Sequence, residues 1–316
     1  MNKKNFLKYA SKLKTKVKLN EEVIEKDYQL SKFLSIMQEL IEQGRISHLT
    51  KLIFKGGTLL TKAYLDYHRI SEDLDFTHEQ SNDLRDLSRS QREREIKKLI
   101  IPVIKEIKLI CDKAGFKFKT DRTNSKYIRL INRRSVYILR AYYESMITGQ
   151  ESFVKLEINF VEEINNKPIN KIIKNFHQVL KIDSAFLKSI NFDLKEVELK
   201  SYPLKEIILE KFRAIMTRNQ LKERDLIDLY LINKKKDVFS TKDELIKQKI
   251  KSGERTLPRT TENLKDNYQK IIKGEFDNST DEVKKLLIKE IDMSNYSKFK
   301  TRLFKKIKKI CESILK

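Results

Sequence analysis

Asp73 and Asp75 stand two residues apart in the run Arg69-Ile70-Ser71-Glu72-Asp73-Leu74-Asp75-Phe76. If that run is a strand, both carboxylates project from one face while Leu74 and Phe76 point to the other. Two carboxylates at this spacing can hold Mg²⁺ beside a nucleoside triphosphate. Just upstream lies Lys55-Gly56-Gly57-Thr58-Leu59-Leu60-Thr61-Lys62. Adjacent glycines let the backbone turn sharply and approach a ligand closely. The segment from about 58 to 67 has helical character. The glycine turn therefore opens a helix, with backbone N–H groups and a positive dipole end aimed at any phosphate lying there. The apolar run Leu52-Ile53-Phe54 reads as a short buried strand that ends at the glycines.

The full string, Gly56-Gly57-Thr58, a short helix, then Arg69-x-Ser71-Glu72-Asp73-x-Asp75, closely resembles the AbiEii/AbiGii toxin family. That family belongs to the nucleotidyltransferases with a DNA polymerase β-like fold. Two further stretches share the resemblance: Glu25-Lys26-Asp27-Tyr28, and Glu210-Lys211 followed by Arg224-Asp225-Leu226-Ile227-Asp228-Leu229-Tyr230. The resemblance implies that Asp73 and Asp75 are catalytic and bind one or two Mg²⁺ ions. It places a third carboxylate on a neighbouring strand, for which Glu157 is the candidate, either completing the metal site or acting as general base. The phosphate-binding set is then Gly56, Gly57, Thr58 and Lys62, with Lys211 and Asp225 from the later block. Arg69, Ser71, Arg224, Asp228, Lys26 and Asp27 support it.

The activity so implied is transfer of a nucleoside monophosphate from an NTP with release of pyrophosphate. Family members look like toxins of bacterial toxin–antitoxin and phage-defence (abortive infection) systems, and some relatives extend the 3′ end of tRNA. The expected partners are an NTP, an RNA acceptor such as the tRNA 3′ end, and an antitoxin encoded separately. Two other readings stand beside this one: nucleotidylation of a protein, and a catalytically idle module that binds RNA or a partner. The intact Asp73/Asp75 pair argues against the idle module.

The residues themselves say what must position these groups. Apolar residues recur at helical spacing from about 20 to 43, with Asn20 as a ready N-cap. Phe153 to Phe160 alternates cleanly, with Val154, Leu156, Ile158 and Phe160 facing one way and Lys155, Glu157 and Asn159 the other. Lys211 falls in line with Ile207 and Ile215 on the inward face of a helix, where an ammonium needs an anion. Arg224 and Asp228 are four apart and so able to pair. A helical stripe from Ile96 to Ile110 contains Pro102, which predicts a kink or a restart, and Gly115 is a stop signal. Strands are predicted near 116–119, 126–132, 135–143 and 179–182. Across the first three of these, the basic residues Lys117, Lys119, Lys126, Arg129, Arg133, Arg134 and Arg140 are interleaved with Phe and Tyr, a pattern shared by nucleic-acid-facing sheets and ordinary half-exposed ones. Pro258 and Gly274 read as breaks in a helical, basic remainder.

The 316 residues suffice for two domains, read as a nucleotidyltransferase domain over 1–200 and a helical domain over 201–316 that contributes to the nucleotide site. The fold class is α+β: a polymerase β-like core, a mixed sheet flanked by helices, with a helical C-terminal part. Lys and Arg number 68 against 45 Asp and Glu, a net charge of +23 that suits a polyanionic partner. The two cysteines, Cys111 and Cys311, lack metal-like spacing, and the four histidines form no ligand cluster. No apolar run reaches the roughly 20 residues needed to span a bilayer. The expected setting is the cytoplasm, with no membrane contact.

Overall fold

The strand bearing Asp73 and Asp75 is the central member of a seven-stranded mixed sheet in the computed structural model. The structure describes residues 1–254, 259–275 and 287–315, so the expected break at Pro258 lies outside the described residues. The strands are β1 (Leu52–Lys55), β2 (Asp73–His78), β3 (Ile128–Ile131), β4 (Val136–Glu144), β5 (Glu151–Asn159), β6 (Ile169–Ile173) and β7 (Val197–Ser201), in the order β3-β4-β5-β2-β1-β7-β6. β2 pairs antiparallel with β1 and parallel with β5, which in turn forms an antiparallel ladder with β4. The α+β architecture with a mixed sheet is the one expected from the sequence.

The chain falls into two units, Met1–Val161 with Pro168–Ser201, and Glu162–Lys167 with Tyr202–Lys316. The first unit holds the whole sheet. Its helix Glu21–Glu42 starts where Asn20 accepts the Val23 N–H at 2.8 Å, satisfying one orphan donor. The helix Arg89–Ala114 opens on a Ser88/Gln91 capping box and closes on Gly115 in the left-handed region, at φ 73°. It runs unbroken through Pro102. The buried stripe Ile96, Ile100, Val103, Ile104, Ile107 and Ile110 holds both halves in line against a proline cost of about 3 kcal/mol. Near its middle Glu106 accepts three backbone N–H groups, from Ser47 (2.9 Å), His48 (2.9 Å) and Leu49 (2.8 Å). That anchors the start of β1, and β1 delivers the glycines.

Several expected elements differ. Residues 116–119 form no strand and make only a bridge from Lys117 to Tyr142. Residues 179–182 form no strand; Val179 ends the short helix Phe176–Val179. β6 was not expected; its exposed Ile169 and Ile172 give no buried alternation to read. Asn132, Arg133 and Arg134 make the turn between β3 and β4, all three at positive φ (49°, 53° and 63°).

The second unit is helical: Leu204–Thr217, Glu223–Asn233, Asp243–Glu254, Thr260–Lys273 and Met293–Leu315. The last buries Phe299, Leu303, Ile307 and Ile310 along one stripe, as its period predicts. The core of this unit is laced with charge. Lys249, 0% exposed, pairs with Glu206 at 2.7 Å and Glu210 at 2.6 Å, while Arg213 pairs with Glu162 at 2.7 Å. Asn267 donates to the carbonyls of Ile215, Met216 and Arg218, closing the C-terminus of the helix Leu204–Thr217. Among the described residues no helix is long and apolar enough to cross a membrane.

Candidate active site

Register brings the acidic residues together. Asp75 lies opposite Lys55 of β1 on one side and Glu157 of β5 on the other, and two residues back along the strand Asp73 lies opposite Lys155. Paired residues in a sheet share a face. One face therefore presents Asp73, Asp75 and Glu157 with Lys55 and Lys155 among them. Lys155 Nζ is 3.0 Å from Asp73 Oδ2 and 3.8 Å from Glu157 Oε2. Burial works against the Lys155 ammonium, but Asp73 and Glu157 outweigh it and raise its pKa. Burial pushes the Asp75 carboxyl up to about 6, and the like charges of Glu157 and Asp73 add to this against the pull of Lys55 and Lys155.

The glycines fit this face atom by atom. Gly56 has φ +77°, and a Cβ built on it would lie 2.0 Å from Asp75 Oδ2. A Cβ on Gly57 would lie 2.7 Å from Ser71 Oγ and 2.9 Å from Arg69 Nη2. Both positions thus exclude any side chain, one beside the carboxylate and the other beside its bracing residues. The glycines are themselves the first two residues of the helix Gly56–Leu59, which widens into a π-helical turn over Leu60–Tyr64. Arg69 is buried and donates from Nη1 to the Ile70 carbonyl at 2.7 Å, which fixes its guanidinium against Gly57.

Four residues expected at phosphate, Thr58, Lys62, Lys211 and Asp225, take partners within the protein. Thr58 is fully buried and its hydroxyl donates to the Asp73 carbonyl, latching the helix start to β2. Lys62 turns inward, 1% exposed, to Asp27 at 2.7 Å, Ser31 Oγ at 2.9 Å and the Tyr67 hydroxyl. Burial lowers its pKa against the pull of Asp27. In the second unit Lys211 lies 2.7 Å from Asp225 Oδ1 and 2.6 Å from Asp228 Oδ2. The anion demanded by its buried face is thus a pair of carboxylates. Asp225 also receives Arg218, and the two cations hold its carboxyl below the usual range although burial opposes them. Asp228 pairs with Lys211, and Arg224, the partner expected from the sequence, is half-exposed. Lys26, by contrast, stands at the rim of the acidic face. It donates to the Phe153 carbonyl, and burial lowers its pKa against the pull of Glu72 and Asp73.

The acidic cluster has the chemistry of a divalent-cation site: hard carboxylate oxygens, one of them on a residue whose ionisation is resisted by its neighbours. Among the described residues no group of three or more His, Cys, Asp or Glu converges on a common metal position. Lys155 lies between Asp73 and Glu157 as their counter-cation. Lys155 and Lys55 are the residues that sequence reasoning missed. The signal was present for Lys155, two residues before Glu157 on the same face of an alternating strand.

No curated protein matches the chain. Among solved structures it is similar to JHP933 from Helicobacter pylori, with 18% identity over 93% of this chain and 95% of that one and a TM-score of 0.46. It is also similar to MenT4, a nucleotidyltransferase toxin from Mycobacterium tuberculosis, with 16% identity over 97% of this chain and 89% of that one and a TM-score of 0.49. Residues 42–309 match the family described as nucleotidyl transferase AbiEii toxin, type IV TA system, a span that includes Gly56, Asp73, Asp75, Glu157 and Lys211. The chain belongs to the AbiEii family, the nucleotidyl transferase toxins of type IV toxin–antitoxin systems.

Proposed function

We propose that the face carrying Asp73, Asp75 and Glu157 transfers a nucleoside monophosphate from an NTP to the 3′ end of an RNA, with tRNA as the acceptor and pyrophosphate as the product. The observation that carries this reading is the seating of Gly56 on Asp75, where an added Cβ would fall 2.0 Å from Oδ2. It makes the glycine-led helix start and the acidic strand one device, in a chain of a nucleotidyl transferase family. The backbone of Gly56 and Gly57 offers N–H donors to the triphosphate. Asp73 and Asp75 would hold Mg²⁺. When bound, Mg²⁺ supplies charge stabilisation to the triphosphate and the departing pyrophosphate. Glu157, half-exposed beside Asp75, takes the proton of the attacking hydroxyl. The hydroxyl oxygen bonds to the α-phosphorus as the bond to pyrophosphate breaks. Lys155 and Lys55 limit the repulsion among the carboxylates throughout. The net charge of +23 favours an RNA acceptor over a small molecule. The setting is the cytoplasm, where NTPs and tRNA are available, in growth control or phage defence opposed by an antitoxin.

Purified protein incubated with total tRNA, Mg²⁺ and each α-³²P-labelled NTP, then resolved on a denaturing gel, tests this reading. Label should appear on tRNA, and Asp75→Ala should abolish it while unfolding as cooperatively as the parent. Label on the polypeptide would replace RNA with a protein acceptor. Label retained by Asp75→Ala would remove the site from the reaction.

A further inference from the structure

β4 and β5 have two unlike faces. Tyr137, Leu139, Ala141 and Tyr143 of β4 and Val154, Leu156 and Ile158 of β5 are buried. The alternate residues Ile138, Arg140 and Tyr142, with Phe153, Lys155 and Glu157, are half-exposed. Register pairs Ile138 with Glu157, Arg140 with Lys155 and Tyr142 with Phe153. Since Asp73 pairs with Lys155 and Asp75 with Glu157, this half-exposed face is the one that bears the carboxylates. Followed back along β5, the row of acids gives way to Lys155 and Arg140, then to Phe153 and Tyr142. Four residues separate Phe153 from Glu157, roughly 13 Å of strand.

The aromatic end of this face is laced with cations. The Phe153 and Tyr142 rings lie 5.4 Å apart. Lys26 Nζ is 4.9 Å from the Phe153 ring centre, and the Arg140 guanidinium is 5.6 Å from it. Lys126 Nζ is 4.5 Å from the Tyr142 ring, and is also paired with Glu151 at 2.6 Å. Arg140 and the Tyr142 hydroxyl are both fastened to the Lys126 carbonyl, at 3.4 Å and 3.1 Å, so the side chains are held in place rather than free to fold away. Half-exposed rings interleaved with fixed cations suit bases and phosphates together, and stacking on them is tolerant of sequence. Only unpaired nucleotides can splay their bases onto such a surface.

We infer that this face seats the acceptor: the unpaired 3′ end of an RNA lies across β4 and β5, its bases on Phe153 and Tyr142, its phosphates at Lys26, Arg140 and Lys126, and its terminal hydroxyl at Asp75 and Glu157. The inference rests on the proposed transfer to RNA. It adds the surface that would select a single-stranded end, and it assigns the aromatic–basic alternation that the catalytic residues leave unused.

Fluorescence anisotropy with a 5′-fluorescein-labelled 12-nucleotide single-stranded RNA, without NTP or metal, tests it on the full chain. Tyr142→Ala should weaken binding by about 5- to 100-fold, the value of one base–ring stack. Arg140→Gln should flatten the dependence of log K on log salt by about 0.7, one phosphate contact to a single strand. Lys105→Gln, an exposed position on the helix Arg89–Ala114, should leave both quantities as in the parent. Arg140→Gln is an exposed-face, shape-conserving change that keeps the test valid if Tyr142→Ala unfolds. Parent-like binding by folded Tyr142→Ala and Arg140→Gln, or no binding by the parent, overturns the inference. The assay needs no transfer, so a parent that binds this RNA through Tyr142 and Arg140 but labels no RNA refutes the proposed reaction and leaves the surface standing.

Discussion

Gly56 is the residue at which the site has least freedom. Its φ of +77° and the 2.0 Å approach of a built Cβ to Asp75 Oδ2 act together. Gly56→Ala should destabilise the protein by about 2–4 kcal/mol, from the left-handed backbone and the overlap combined. It should also displace the Asp75 carboxylate and stop transfer; denaturant unfolding and the labelled-NTP gel read the two effects separately. Asp75 itself carries a pH signature. Its folded pKa of about 6 lies above the roughly 3.9 of an unfolded aspartate. Above pH 6 the ionised carboxylate disfavours the fold, and below pH 4 both states are protonated and the penalty is gone. Asp75→Asn should therefore be more stable than the parent above pH 6, by on the order of 1–3 kcal/mol. That gain should fade as the pH falls from 6 to 4. A constant difference across that range in thermal melts would refute the assignment.

At the level of elements, the helical segment after the glycines is held from behind. Lys62 projects from its π-helical turn to Asp27 and Ser31 of the helix Glu21–Glu42, and Tyr67 joins them by donating to Asp27 Oδ2 at 3.2 Å and to the Lys174 carbonyl at 3.1 Å. Tyr67 and its neighbour Asp66 both have positive φ, 55° and 45°, so the chain takes a strained bend to bring the hydroxyl into place. Removing one partner of a buried ion pair leaves the other uncompensated. Lys62→Met should cost about 3–5 kcal/mol in chemical denaturation. The double variant Lys62→Met/Asp27→Leu should recover much of that loss. If Lys62→Met is instead as stable as the parent and only the KM for NTP rises, Lys62 belongs to the phosphate site. The same logic accounts for Lys211. A buried ammonium flanked by Asp225 and Asp228 is an internal tie of the second unit, in keeping with the Lys249–Glu206 pair there.

For the molecule as a whole, each unit carries its own organising principle. The first is built on a sheet whose central strand holds the acidic pair, and its core is mostly apolar around a few buried ties such as Lys62–Asp27 and Glu106. The second is a set of helices whose interior is braced by ion pairs and by Asn267 at a helix end. The buried ties of the second unit set Lys211 against Asp225 and Asp228 and Lys249 against Glu206 and Glu210, two cations to four carboxylates, so they absorb none of the excess of 68 basic over 45 acidic residues. The surplus lies at residues such as Arg129 and Arg133, which are exposed beside the strands of the proposed acceptor surface. A long-range field of that sign would draw a polyanion to the molecule, and the stacking face would then select its unpaired end.

What the sequence determined by itself was local: caps, periods and motif spacing. Asn20, Gly115 and the alternation of 153–160 predicted their elements correctly, because each depends on neighbours a few residues away. The acidic pair and its glycines were visible for the same reason, and the family with them. Tertiary structure alone decided which charges face one another. Lys155 joins Asp73, and Glu157 lines up with Asp75, through strand register over some eighty residues of chain, which no spacing rule encodes. Lys62 and Lys211 carried the right charge for phosphate contact, but Asp27 and Asp225 reach them from other elements, and a buried cation takes the nearest carboxylate that packing brings to it.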